Sequence, residues 1–413
     1  MKRKLLKQML TNWRSNIWLV VELIIVGSAM AGIMAIMFYT LNIRFQPSGY
    51  EVNDTYLVKL DKVGSDSPEY IEYEDKVTQR NDEVYQLMSR LRALPQVELL
   101  GYGQNAMPYS GSYFGRSITN IQDNDTVGFS FNFRYVSPEI PIILNLKGIN
   151  GETPEQLSQI IERGEIIVTN IVYDEQQKPS DYIGREFTNS SDSTYLRLSA
   201  VIPGMKRSDF EEPGPTLLRS YDKSGKKISR ISEFIVKIKH GTDKDFLKQI
   251  KENPDQWRIG NIGVKDVESM EVVRALINRE DNQSIIGLVV CCLFLLVSIF
   301  LGQLGTFWFR TGQRTVEIAI RMVNGATNGQ IFRRLTTEGI ILWAVSLPFI
   351  AGIMYLVIKY DLLSDAIYDD MIKSVVYGAV ISVVFLLIMI IAGIFFPARR
   401  ATKIKPAIAL KDE

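Results

Sequence analysis

The stretch VEIAIRMVNGATNGQIFRRLTTEGIIL, Val316 to Leu342, begins charged, turns polar at its middle and ends apolar. Arg314, Glu317 and Arg321 fall at i, i+3 and i+7, so they can pair along one helix face. Gly325 suits a left-handed C-terminal cap. Thr327 and Gln330 form a T-x-x-Q capping box that starts a second helix through Ile331, Phe332 and Leu335. The spacing therefore predicts a helix–turn–helix corner, with Ile318, Met322, Ile331 and Phe332 exposed for a partner. On these residues alone, a solvated hairpin whose arginines only set topology is an equal reading.

Working outward, the corner lies between apolar runs. A helix needs about 20 apolar residues to cross the hydrocarbon core. Four runs meet that length: Ile17 to Leu41, Ile285 to Phe309, Gly339 to Ile358 (within a predicted span of 337–359) and Val375 to Phe396. Pro348 in the third predicts a kink that a helical bundle tolerates. The first run is too long for a signal-peptide core and reads as an uncleaved anchor, preceded by a cytoplasmic amphipathic helix over 1–16. Glu22 is the one acidic residue within the four runs. An intramembrane carboxylate is a functional candidate. Its position near the basic end favours a snorkelling or interface-paired side chain.

Basic residues set orientation. Lys2, Arg3, Lys4, Lys7 and Arg14 precede the first run, Arg310, Arg314, Arg321, Arg333 and Arg334 follow the second, and Arg399, Arg400, Lys403, Lys405 and Lys411 follow the fourth. The loop between the third and fourth carries Asp361, Asp365, Asp369 and Asp370. Both termini, the 310–336 segment and the 397–413 tail are thus expected inside. Segment 42–284 and the 360–374 loop are expected outside.

The outer segment reads as α+β. DTYLVKLD alternates as a strand, RNDEVYQLMSRLRAL aligns Val84, Leu87, Met88 and Leu91 on one helical face, and VELLGYG follows as a strand. EFIVKIKH, TDKDFLKQIKEN and RIGNIGVKDVES repeat the pattern near the end. These β-α-β units, about 54–104 and 232–269, suggest a split ferredoxin-like subdomain around an inserted, mostly β subdomain over about 105–231. Tyr109, Tyr113, Phe114, Phe129, Phe131, Phe133 and Tyr135 in the insertion read as sheet core before they read as a ligand groove. The stretch 270–283 predicts a stalk helix running on into the second span.

The totals narrow the chemistry. The chain has 413 residues and a net charge of +1. Its two cysteines, Cys291 and Cys292, are adjacent inside an apolar run, which argues against a disulfide framework. A single histidine, His240, leaves little room for histidine-based metal or triad chemistry and reads as a surface residue at a strand end. GNIGVKD lacks the spacing of a phosphate-cradling loop. No catalytic, cofactor or metal residue is expected, and no nucleic acid.

RTVEIAIRMVNGATNGQIFRRLTTEGIIL resembles the E-I-x-I-R-x-x-x-G-A-x-x-x-Q-I motif of MacB/FtsX-type ABC transporter permeases, and FPARRATKIKPAIALKDE resembles that family's tail. FRYVSPE, GEIIVTN, YIGREF and LRLSAVIPGMKR follow the order of pieces in its periplasmic core domain. The resemblance implies a multi-pass protein of the bacterial cytoplasmic (inner) membrane, with a periplasmic domain after the first of four spans. It implies a non-catalytic permease subunit working as a homodimer or paired permease by mechanotransmission. Hydrolysis, with ATP and Mg, would belong to a separate ABC ATPase. Glu317, Ile318, Ile320, Arg321, Gly325, Ala326, Gln330 and Ile331 would form the ATPase-coupling segment. Efflux or extraction of a peptide, antibiotic, lipid or lipoprotein is the expected output. A membrane-fusion protein and an outer-membrane channel would be further partners beside the membrane lipids. The alternatives are an FtsX-like regulator of an extracellular enzyme, a ligand-sensing membrane receptor and a membrane enzyme with its site outside.

Overall fold

The structure is a computed structural model that describes residues 13–109, 114–120, 127–172, 178–189, 194–313, 315–363 and 371–401. The 1–12 part of the amphipathic-helix expectation, Tyr113, Arg314, three of the loop aspartates (Asp365, Asp369, Asp370) and the tail beyond residue 401 lie outside them. The chain divides into two compact units, Ile43–Glu280 and the helices flanking it in sequence.

In chain order the regular elements begin with α1 (Trp13–Phe45), β1 (Thr55–Lys62), α2 (Lys76–Arg92) and β2 (Val97–Gln104). Next come β3 (Gly115–Asn120), β4 (Gly128–Val136), α3 (Ile140–Ile143), α4 (Pro154–Arg163) and β5 (Ile166–Thr169). β6 (Glu186–Asn189), β7 (Tyr195–Ile202), β8 (Thr216–Ser220), β9 (Glu233–Ile238) and α5 (Asp243–Lys251) follow. The unit closes with β10 (Arg258–Ile259), β11 (Ile262–Ser269) and α6 (Met270–Ile277).

Four strands pair antiparallel in the order β11-β1-β9-β2. Alternation along each strand sorts side chains between two faces. Tyr56, Val58, Phe234, Val236, Leu100 and Tyr102 share one face, where Val84, Leu87, Met88 and Leu91 of α2 and Phe246 and Ile250 of α5 cover them. Leu57 and Ile235 face the other way, onto Ile140, Met270 and Val273. RIGNIGVKDVES is a hairpin rather than one strand, since β10 turns back onto β11 with Ile259 opposite Ile262.

β4 attaches to this sheet through Gly103 opposite Val136 and Gln104 opposite Tyr135. A Cβ at Gly103 would lie 2.1 Å from the Tyr135 carbonyl oxygen, so the junction needs glycine. Beyond it, β4-β3-β6-β7-β5-β8 closes on itself, because β8 pairs parallel with β4. The result is a six-stranded barrel, a way of removing exposed strand edges. Phe129, Phe131, Phe133, Phe187, Leu198 and Leu217 are buried in one cluster with the sheet core. The inserted aromatics Phe129, Phe131 and Phe133 are therefore core residues. α4 starts on a Thr153–Gln156 capping box and packs Leu157, Ile160 and Ile161 against Ile167 and Leu218.

The helical unit contains most of α1 together with α7 (Arg279–Gln313), α8 (Thr315–Val323), α9 (Asn328–Lys359) and α10 (Met371–Ala401). α1, α7, α9 and α10 are long and apolar enough to cross a membrane. Without a hydrophobic drive between helices in lipid, close backbone approach at small residues holds them together. Gly378 sits against the backbone of Ala31 and Ala35, both fully buried, and a Cβ there would come within 2.4 Å of the Ala35 nitrogen. The Ser382 hydroxyl donates to the Gly27 carbonyl at 3.0 Å. Glu22 lies against Gly302, where an added Cβ would be 2.3 Å from its Oε1. The free Cys291 is exposed and the free Cys292 buried, both on α7.

Candidate functional site: a paired corner and a clasped helix

The corner is built by its caps. α8 ends with Gly325 at φ +87, the left-handed region that glycine enters at no steric cost. The Ala326 amide donates to the Arg321 carbonyl at 2.9 Å and the Gly325 amide to that of Met322 at 3.0 Å. This double bond pattern is a Schellman stop. Two residues after Gly325 the Thr327 side chain accepts from the Gln330 amide, and the Gln330 side chain accepts from the Thr327 amide.

The turn folds α8 against the first turns of α9. The Glu317 carboxylate accepts from Arg321 at 2.8 Å and, across the turn, lies 3.5 Å from the Arg334 guanidinium. Arg334 also lies 3.8 Å from Glu338, which is buried. Glu317, Ile318, Arg321 and Ile331 line one small depression with Arg334, Leu335 and Glu338. Ala326 lies in the turn, Gln330 in the first turn of α9, and Ile320 points away, 47% exposed. One expectation is corrected: Ile318 and Ile331 are buried, at 6% and 5% exposure. They face each other's helix, and α8 instead shows Ile320 and Val323 to solvent. Met322 and Phe332 are half-buried, with Phe332 edge-on to Phe395. Sequence reasoning missed Arg334 and Glu338. Their i, i+4 spacing was visible, but the bridge from Arg334 to Glu317 exists only once the turn has folded.

A second arrangement lies in the Ile43–Glu280 unit. α6 is capped at its start by Ser269 and ends at Asn278 before α7 begins at Arg279. The predicted continuous stalk over 270–283 is thus interrupted. At the break stands Asn278, whose side chain turns to Asp209. Its Nδ2 donates to the Asp209 carboxylate at 2.8 Å, and its Oδ1 accepts from the Asp209 amide at 3.1 Å. The same carboxylate accepts from Arg274 Nε at 2.8 Å. That hydrogen bond, ahead of an opposing effect of burial, holds the Arg274 guanidinium above its usual range.

Three residues earlier in the same loop, Lys206 is buried. Its ammonium donates to the Ile43 carbonyl near the end of α1 and to the Gln46 carbonyl at 2.9 Å. A cation here complements the carbonyls left unpaired at a helix C-terminus. Burial pushes the Lys206 ammonium below its ordinary range. Arg44 stacks on the Phe210 ring at 5.3 Å. One loop, residues 205–211, thus holds the end of α1 and the C-terminal end of α6. Elsewhere, His240 is an exposed surface residue with Nδ1 3.0 Å from Asp54, and no cluster able to hold a metal ion occurs among the described residues.

Neither protein-family models nor curated protein sequences match the chain. Among solved structures, the chain is similar to the extracellular domain of the noncanonic ABC-type transporter YknZ from Gram-positive bacteria. The identity is 9% and the TM-score 0.31, over 51% of this chain and 100% of that one. It is also similar to the periplasmic region of MacB from Actinobacillus actinomycetemcomitans. There the identity is 11% and the TM-score 0.32, over 57% of this chain and 98% of that one.

Proposed function

We propose that this chain is the permease subunit of a MacB/FtsX-type ABC transporter that works by mechanotransmission. The observation that carries the reading is the corner at 317–338. The residues of the family motif supply its ion pair, its Schellman stop and its capping box. A rigid two-helix projection of this kind suits docking on a partner, because little order remains to be paid for on binding. Lysine and arginine bias puts the corner on the cytoplasmic side and the β-rich unit outside. The partner is a separate ATPase that binds ATP and Mg. Its cycle moves the corner, and the spanning helices pass the motion to the β-rich unit. In that unit β11-β1-β9-β2 with α2 and α5 serves as a split ferredoxin-like frame around the barrel. The output is efflux or extraction of a peptide, antibiotic, lipid or lipoprotein, with two permease chains per assembly.

The test is a gentle-detergent pull-down of the full chain, with mass spectrometry of retained proteins and an ATP hydrolysis assay. Recovery of an ABC-type ATPase, lost on Arg321→Glu, supports the proposal. Retention of a kinase instead, with no ATPase even after crosslinking, overturns it in favour of a receptor.

A further inference from the structure

Between β4, the start of β8 and the 205–215 loop lies an open cleft of about 430 Å³. This is within the size range of small-molecule sites. Arg134 lines it, yet Arg134 is only 7% exposed. Its neighbour Phe133 points into the core, so strand alternation sends the Arg134 side chain to the outer surface of the barrel wall. The guanidinium donates through Nη1 to the carbonyls of Met107 and Asn105. Nε has no partner, and among the described residues no carboxylate pairs with Arg134. Burial pushes its pKa down to about 10, so it stays charged at neutral pH.

A buried cation without a counter-ion is costly, and buried charges in proteins are normally paired. A guanidinium has five donors in a fixed fork, a shape that matches a carboxylate. A second residue with an unused donor lines the same cleft. Asn105 is held at φ +54, and its buried Nδ2 has no partner. The rim does not supply the missing anion, because Glu211 is already bound to Arg207 at 2.6 Å. Its remaining wall includes Ile171, Met205 and Pro213, which suit an apolar body.

We propose that this cleft binds a small monocarboxylate with an apolar body, its carboxylate seated on Arg134 and Asn105. Glu212 adds negative charge to a rim where Glu211 is paired with Arg207, which disfavours a doubly charged anion more than a singly charged one.

The experiment uses the full chain in lipid nanodiscs and isothermal titration with N-acetylleucine, N-acetylleucinamide and dimethyl phosphate. The amide removes only the charge, and dimethyl phosphate replaces the carboxylate by a phosphodiester. N-acetylleucine is expected to bind at least about tenfold more tightly than either. Arg134→Gln should abolish that binding, and Arg134→Lys should weaken it about tenfold, because an ammonium keeps the charge and loses the fork. Should Arg134→Gln fail to fold, Asn105→Asp is decisive. Asparagine and aspartate both tolerate positive φ, and the new carboxylate supplies the missing counter-ion itself. That variant should melt at a higher temperature and bind no N-acetylleucine. Equal binding of acid and amide, tighter binding of dimethyl phosphate, absence of any binding, or unchanged binding in Asn105→Asp would each overturn the proposal.

Discussion

Asp209 and Arg274 are 65 positions apart in sequence, yet Arg274 Nε donates to both Asp209 carboxylate oxygens, at 3.1 and 2.8 Å. Asp209 is also bound by Asn278, and Lys206 in the same loop holds the carbonyls at the end of α1. The loop therefore joins the segment entering the β-rich unit to the segment leaving it. Asp209→Ala should cost about 1.5 kcal/mol, the low end for hydrogen bonds to a charged group, because Arg274 is half exposed. Hydrogen exchange along α6 should rise while the barrel strands stay protected. Unchanged exchange in α6 would show that the loop only rests against it.

At the corner, Glu317→Lys places three cations together in place of one carboxylate between two arginines. Both partners are partly exposed, so the loss of stability should stay below about 1 kcal/mol. Under the proposed function, the variant inserts normally but no longer stimulates hydrolysis by its ATPase. Full stimulation in reconstituted vesicles would falsify the coupling role of the pair.

Gly378 leaves no room for a side chain against Ala31 and Ala35. Gly378→Leu should force α1 and α10 apart and cost about 1–3 kcal/mol, as overpacking does. The check is a cysteine pair placed between the two helices, crosslinked in membranes. Undiminished crosslinking in the variant would mean that the contact is not tight.

Glu233 lies opposite Lys59 in the register of β9 and β1. Burial, only partly offset by Lys59, raises its pKa from an ordinary 4.5. The folded state therefore binds the proton more tightly than the unfolded state. Stability from this group is full below 4.5 and is lost as pH rises through the raised folded value. Glu233→Gln has no proton to lose. Its melting temperature should match the parent's at about pH 4 and exceed it at about pH 7. A gap of the opposite sign at neutral pH would mean that Lys59 outweighs the burial.

Much of this protein was legible from local pattern. The four apolar helices follow from run length alone, since a helix satisfies its own backbone. The Gly325 stop and the Thr327–Gln330 box are interactions between residues three to five apart, so spacing suffices to predict them. The faces of β1 and α2 follow from periods of 2 and 3.6. What tertiary structure decided are the pairings between distant residues. Ile318 and Ile331 have the composition of an exposed contact patch and became buried only when the turn brought α8 onto α9. A predicted unbroken stalk is interrupted at Asn278, whose side chain is held by Asp209, 69 positions away. The barrel closes through the parallel pairing of β4 with β8, which no local period encodes. Arg134 reads as an ordinary strand arginine, and only the packing of the 205–215 loop and Asn105 around it leaves its charge buried and unpaired. Local pattern sets which backbone bonds form and which faces are apolar. The partners of a buried charge depend on long-range closure, whose energy is spread over contacts that sequence spacing does not record.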